Sequence, residues 1–113
     1  MDDIQNFKNL LKKGLFFHNL ENLEKICNNK VFANEKNLVA WYILEDIFHQ
    51  VQDMWETYEP ITVKEAEQID SALVEPIDHL LNLMLSGEKE VKIIRQLEKI
   101  IKEYIELRKT FRK

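Results

Sequence analysis

The sequence predicts an all-α fold, an antiparallel up-down bundle of four to five helices. Only Gly14, Pro60, Pro76 and Gly87 interrupt the regularity of the backbone. Between them, apolar residues recur at intervals of three and four, the spacing of one face of a helix. The links between the long apolar stretches are short, so consecutive helices are expected to run in opposite directions.

The length and composition indicate one domain. A chain of 113 residues has the size of a single domain and can bury roughly two-thirds of its unfolded surface. We predict one helical domain, 1–113, with a shorter helix pair in 1–32 and three long helices in 34–110. The three long helices are expected to form a core across which the shorter pair packs.

The first two helices are predicted to be short. The first covers about residues 3–13 and ends at Gly14, a residue favoured after a helix C-terminus. Its stripe consists of Ile4, Phe7, Leu11 and Leu15. Three large apolar residues at 15–17 follow, and we expect them to be enclosed between helices. The second helix covers about 20–29, with Asn19 as its N-cap.

The third helix is predicted over about 35–58, capped by Asn34 and closed by Pro60. One face of it is apolar at about 100° per residue. That face consists of Ala40, Leu44, Ile47, Phe48, Val51, Met54, Trp55 and Tyr58. Acidic and polar residues occupy the opposite face, which we expect to be solvated.

The fourth helix begins with a capping box, in which Thr62 and Glu65 satisfy each other's backbone amides. Its apolar stripe runs through Ala66, Ile69, Leu73, Ile77, Leu80 and Met84. Pro76 lies within this stripe and removes one helical hydrogen bond. Because the stripe keeps its phase across Pro76, we predict one kinked helix.

The fifth helix is predicted over about 88–110, after a tight link at Ser86 and Gly87. Its apolar face is made of Ile93, Ile94, Leu97, Ile100, Ile101, Tyr104, Ile105 and Phe111. This face spans more than about 150°, which is wider than one neighbouring helix usually covers. The chain then ends in a basic segment, 108–113.

Charge is unevenly distributed along the chain. Residues 45–78 contain ten acidic residues and only one basic residue, Lys64, whereas residues 88–113 contain nine basic and five acidic residues. The net charge of the whole chain is −4. The acidic middle and the basic end can attract each other within one chain or between two chains.

Cysteine usage and hydropathy point to the cytoplasm. Cys27 is the only cysteine, so no internal disulfide can form. Asp2 and Asp3 stand where a secretory signal carries basic residues. No apolar run approaches the roughly 18 residues that a membrane span needs. We therefore expect a reducing, cytoplasmic location and no membrane association.

A candidate metal site lies on the third and fourth helices. Its residues are Glu45, Asp46, His49, Asp53, Glu75, Asp78 and His79. Carboxylates and histidines spaced three or four apart on facing helices build the metal sites of bundles. These residues lie opposite the apolar stripes, however, whereas such a site needs ligands that point inward. We therefore predict no metal and no cofactor, and keep a metal-binding bundle or metal-dependent enzyme using His49 and His79 as an alternative.

Catalytic and nucleic-acid motifs do not emerge from the sequence. We assign no catalytic residue and expect a protein that is not an enzyme, although the sequence does not decide this. A second alternative is weak binding of nucleic acid or an anionic surface by the basic fifth helix. Its candidate residues are Lys99, Lys102, Arg108, Lys109 and Arg112. The net negative charge and the interleaved glutamates argue against it.

The apolar surplus favours a protein–protein interaction module. The end of the fourth helix and the wide face of the fifth expose more apolar surface than a monomer needs, and aromatic residues supply anchors typical of interfaces. The predicted interface residues are Trp41, Trp55, Tyr58, Leu81, Leu83, Leu85, Ile93, Ile100, Tyr104 and Phe111. We expect a non-catalytic adaptor, regulator or small subunit that self-associates, with a dimer favoured. The sequence names neither the partner nor the pathway.

Overall fold

A computed structural model describes residues 3–32, 37–57 and 62–111 of the chain. Its helices are α1 Asp3–Leu11, α2 Phe17–Phe32, α3 Leu38–Thr57, α4 Val63–Leu85 and α5 Glu90–Phe111. Every regular element in these ranges is an α-helix, so the predicted all-α fold is confirmed. The expected caps at Asn34 and Pro60 lie outside the described residues.

The helices alternate in direction. Glu24 of α2 contacts His49 of α3, and Lys30 approaches Trp41, so these two helices are antiparallel. The side-chain amide of Gln96 on α5 donates to the carbonyl oxygen of Pro76 on α4. Lys64, near the start of α4, and Thr110, near the end of α5, line one groove between the two helices. α4 and α5 are therefore also antiparallel. The predicted up-down arrangement is therefore confirmed.

The pairing of the helices differs from the expected three-helix core. α2 packs most extensively on α3, and α4 packs on α5. α1 lies between α2 and α4, while α3 meets α5. The backbones of α3 and α4 do not approach each other closely in the described ranges. α2 is longer than predicted, and α1 takes the place against α4 where α3 was expected.

The core draws on all five helices. Its largest fully buried side chains include Phe7, Phe48, Trp41, Leu11, Leu15, Leu20, Leu23, Leu44, Met54, Ile69, Leu73 and Ile77. The ring of Phe7 meets Trp41 edge to face at 5.3 Å and lies 6.0 Å from the ring of Phe48. α1 is therefore docked on its own chain, with an aromatic contact of the kind that stabilises cores beyond area burial.

Asn19 is not the N-cap of the second helix, because α2 already begins at Phe17. Its side chain is buried, and its amide donates to the carbonyl oxygens of Leu10 and Gly14, both at 2.7 Å. The carbonyl of Leu10 also accepts from the N–H of Lys13, so Asn19 adds a second donor there and ties the end of α1 to the carbonyl of Gly14. Phe16 is 44% exposed, so the predicted enclosure of 15–17 is wrong for that residue and correct for Leu15.

The backbone of Leu15 is held by two further helices. Its N–H donates to Asp70 Oδ1 on α4 at 2.8 Å. Its carbonyl oxygen accepts a 2.8 Å hydrogen bond from Trp55 Nε1 on α3. We call residues 12–16, with these contacts and that of Asn19, the α1–α2 junction. Buried backbone polar groups need hydrogen-bond partners. Because those of Leu15 find their partners on α4 and α3, the junction holds the end of α1 against these two helices.

The fourth helix follows the sequence prediction closely. Thr62 Oγ1 accepts from the backbone N–H of Glu65 at 3.1 Å, and Glu65 Oε1 accepts from the N–H of Thr62 at 3.0 Å. The helix continues without interruption through Pro76, as predicted. The bend at Pro76 stays a prediction.

Two glycines with positive φ provide a matched test of the junction. Gly14 has φ +110°, and a Cβ there would lie 3.0 Å from Asp70 Oδ2, whereas Gly87 has φ +68° and open space around it. We expect Gly87→Ala to cost about 1 kcal/mol of backbone strain. Gly14→Ala should cost more, about 2–3 kcal/mol, because φ +110° lies outside the left-handed region that an L residue tolerates and because the new Cβ would displace Asp70 from the N–H of Leu15. Urea unfolding followed by circular dichroism measures both, and equal losses would contradict the assigned role of Asp70.

Candidate interaction surface

The predicted interface residues are divided between the core and the surface. Trp41, Leu81, Ile93 and Ile100 are buried inside the chain itself, so a partner docking on the folded chain does not reach them. Trp55, Leu83 and Tyr104 are half-buried, and Leu85 is exposed. Tyr58 and the side chain of Phe111 lie outside the described residues. The interface itself stays a prediction. The apolar side chains that are exposed lie on other parts of α3 and α5.

Exposed apolar side chains gather on the outer faces of α3 and α5. We call this set the α3–α5 patch, and its members are Leu38, Val39, Tyr42, Val91, Ile94 and Ile105. Val39 and Tyr42 are each 60% exposed. Leu38, Val39 and Ile94 line one cleft of about 320 Å³ between the two helices. Large apolar side chains exposed on two neighbouring helices are typical of a binding surface, whereas single ones are ordinary.

The members of the patch on α5 form a stripe. Val91, Ile94 and Ile105 fall on one side of the helix at 100° per residue, and half-buried Ile101 joins the last two. This stripe lies beside the buried stripe that holds Ile93 and Ile100. The wide apolar face of α5 thus has two parts. The stripe with Ile93 and Ile100 is buried in the core, and the stripe with Ile94 and Ile105 is exposed.

A polar network ties α3 to α5 next to the patch. The hydroxyl of Tyr104 donates to Gln50 Oε1 at 2.9 Å. Arg108 Nη1 donates to that hydroxyl at 3.0 Å and lies 3.4 Å from Gln50 Oε1. Burial raises the pKa of Tyr104, against the opposing effect of Arg108. The phenol therefore stays protonated at neutral pH and holds the two helices in one register.

Charged rows of opposite sign flank the patch. Asp46 and Asp53 are exposed on α3, seven residues apart and in line with Val39. Arg95, Lys102 and Lys109 are exposed on α5, also seven apart. A seven-residue spacing keeps side chains on nearly the same side of a helix. We call these two sets the acidic row and the basic row.

The candidate metal ligands are not brought together. In the parts of the chain that are described, no group of three or more His, Cys, Asp or Glu residues could hold a metal ion. Glu45 and His49 line a cleft between α3 and α2. Glu75 and His79 line the groove between α4 and α5, and Asp53 is exposed on α3. The two histidines thus face different helices, because α3 packs on α2 and not on α4.

His49 instead forms an ion pair that the sequence did not indicate. Its Nδ1 lies 2.9 Å from Glu24 Oε1 on α2. The hydrogen bond to Glu24 and the charge of that carboxylate raise the pKa of His49. The partner is 25 residues away in the chain, so no local spacing could have revealed it.

The basic candidates on α5 have acidic neighbours. Lys99 and Lys102 share the groove between α4 and α5 with Glu75 and Glu103. Arg108 is engaged with Tyr104, and Lys109 pairs with Glu106 at 3.3 Å. Arg112 lies outside the described residues. Mixed charge of this kind gives a weaker phosphate-binding field than an uninterrupted basic surface.

Comparisons with known proteins do not add a function. No protein-family model matches the chain, and no curated protein or solved structure matches it. None of the described helices combines the length and the apolar character that crossing a membrane requires.

The thiol of Cys27 is predicted to be unreactive in the folded chain. It is fully buried, and burial raises its pKa, with Glu45 and Glu24 adding to the effect. A disulfide reagent at pH 8 should react with the native protein at least about 100-fold more slowly than with the urea-unfolded chain, since reaction requires opening of the core. Cys27→Ser supplies the blank. Equal rates in the two states would show that the α2–α3 contact is not formed as described.

The ion pair of His49 predicts a pH-dependent stability. Because the folded-state pKa lies above the ordinary 6.5, the stabilisation is complete below that value and is lost as the pH rises through the folded pKa. The free energy of unfolding of the wild type should therefore exceed that of His49→Gln at low pH, and the gap should close above neutrality. The effect is small since His49 is 60% exposed. In a Glu24→Gln background the gap should not vary with pH, and a gap that grew with pH would contradict the pairing.

Proposed function

We propose that this protein is a non-catalytic helical interaction module, an adaptor, regulator or small subunit, that self-associates through the α3–α5 patch. The observation that carries the proposal is that two neighbouring helices expose six apolar side chains, three of which line one cleft. The network of Gln50, Tyr104 and Arg108 supports it, because it holds those helices rigidly together. A surface that does not rearrange loses less entropy on binding.

The patch alone supports only weak association. A fully exposed aliphatic or aromatic side chain gains about 1.5–3 kcal/mol when it is buried, and these six are 38–60% exposed. Association costs an estimated 4–15 kcal/mol in lost translational and rotational freedom. A symmetric dimer buries the patch on both copies, so twelve side chains contribute about 9–18 kcal/mol, which is of the same size as that cost. We propose a reversible dimer in which polar contacts around the patch set the affinity.

Tyr42 is the proposed anchor of the interface. It is 60% exposed and combines a large apolar ring with a hydroxyl that can hydrogen-bond at the edge of a contact. Tyrosine is enriched among the residues that dominate binding energy at protein interfaces.

A cytoplasmic location is part of the proposal. It is supported by the single, buried Cys27, because a reducing compartment keeps such a thiol reduced.

Sedimentation velocity over a wide concentration range tests the proposal with two matched substitutions. Val39 lies in the patch and is 60% exposed, whereas Val63 is 80% exposed at the start of α4. Val39→Lys should raise the dimer dissociation constant at least about tenfold, because it places a charge in an apolar contact and adds a cation beside the basic row. Val63→Lys should leave it unchanged. A wild type that stays monomeric up to millimolar concentration would overturn the proposal, as would equal effects of the two substitutions.

A further inference from the structure

We propose that the occupant of the α3–α5 patch is a second copy of this chain, related by a two-fold axis that runs along the α3–α5 seam. In this arrangement α3 of each copy packs on α5 of the other. The inference rests on the proposed function, since it adds the symmetry and the helix pairing of the dimer that forms through that same surface.

The size of the patch requires the flanking charges to take part. A stable interface of standard size buries about 800 Å² and 20–30 residues on each side, which six partly exposed side chains cannot supply. The residues next to them must therefore be covered as well. On α3 these include the acidic row, Asp46 and Asp53, and on α5 the basic row, Arg95, Lys102 and Lys109. Arg95 and Lys102 share a surface depression with half-buried Ile101 on the stripe of the patch.

The charge pattern selects the direction of the two-fold axis. In a dimer with such symmetry the same surface is used twice. An axis across the seam would place α3 on α3 and α5 on α5, so each charged row would face its own copy. An axis along the seam instead places the acidic row of one copy on the basic row of the other. Like charges facing each other in an interface cost several kcal/mol, so the second arrangement is favoured.

The register of the helices brings opposite charges to the same height. α3 and α5 are parallel, because Gln50 is level with Tyr104 and Val39 shares a cleft with Ile94. Rotation about an axis parallel to the helices leaves heights unchanged. Asp46 therefore lies level with Lys102 of the partner subunit, and Asp53 lies level with Lys109 of the partner subunit.

The same register brings the apolar members of the patch together. Val39 comes to the height of Ile94 of the partner subunit, so the apolar ends of the two surfaces meet. Tyr42 comes to the height of Glu98 of the partner subunit, and its hydroxyl can donate to that carboxylate. The exposed acid on the stripe of α5 thereby gains a partner. Val39 and Ile94 thus form an apolar pair, and each of Asp46, Asp53 and Glu98 meets a base or a hydroxyl.

Charge reversal tests this geometry with three variants of the full chain. The first carries Asp46→Lys and Asp53→Lys, the second carries Lys102→Glu and Lys109→Glu, and the third carries all four substitutions. At low ionic strength, we expect each double variant to dimerise at least about tenfold more weakly than the wild type, because like charges then face each other. The fourfold variant should recover the dimer. Sedimentation velocity measures all three, with circular dichroism to check the fold.

Mixing the two double variants complements the homodimer measurements. An axis across the seam would also favour the mixed dimer, but it would not make either double variant a weaker homodimer than the wild type. Each double variant should form a poor homodimer. In the mixed dimer, the new lysines on α3 of the first variant face the new glutamates on α5 of the second. The unchanged acidic row of the second variant faces the unchanged basic row of the first. An equimolar mixture should therefore form a heterodimer with an affinity near that of the wild-type dimer. The heterodimer forms only if both double variants are folded and their charged rows are complementary. Its appearance therefore does not depend on how stable each variant is.

The oligomeric state separates the dimer geometry proposed here from self-association as such. A dimer that is weakened by Val39→Lys but unaffected by Lys102→Glu with Lys109→Glu would overturn the axis along the seam and leave the interaction module standing. Failure of the fourfold variant to recover the dimer would also overturn it. A wild type that is monomeric throughout would overturn both proposals.

Discussion

The hydrogen bonds of Leu15 are the constraint on which the arrangement of the helices depends. In the turn between α1 and α2, the N–H groups of residues 12–14 bond back to carbonyls of α1. Leu15 follows them, is buried, and takes its backbone partners from other helices. A buried donor or acceptor without a partner costs about 1–3 kcal/mol. Asp70 satisfies the N–H of Leu15, and Trp55 satisfies its carbonyl oxygen. Because these side chains come from two helices, meeting the needs of one short turn positions both.

This junction accounts for the pairing of the helices. α1 lies between α2 and α4. The ring of Phe7 packs on Trp41 of α3, and Lys8 lies beside Asp78 of α4. With α1 in that position, the backbones of α3 and α4 stay apart in the described ranges. α3 instead meets α5, and the Tyr104 network closes that contact. The outer faces of these two helices then remain open, which is why the exposed apolar residues gather there.

Several features could be predicted because they depend on neighbours in the chain. The capping box at Thr62 involves residues three apart, and the stripe of α4 keeps one phase through Pro76. Asn19 shows the limit of such reasoning. Its residue type and position suit an N-cap, but its amide binds two carbonyls at the end of α1. A preference derived from local sequence cannot anticipate a partner that folding brings close.

The sequence by itself determined the helical class, the alternating directions and the faces of each helix that are apolar, because these follow from spacing and from short links. Only the tertiary structure decided which apolar residues are core and which are surface. Ile93 and Ile94 are adjacent in the sequence, and only one of them is buried. The same holds for charge, since the partner of His49 and the opposition of the two charged rows depend on which helices are neighbours. Neighbours are chosen by the fit of whole faces and by the satisfaction of buried polar groups, and neither is a property of a single segment.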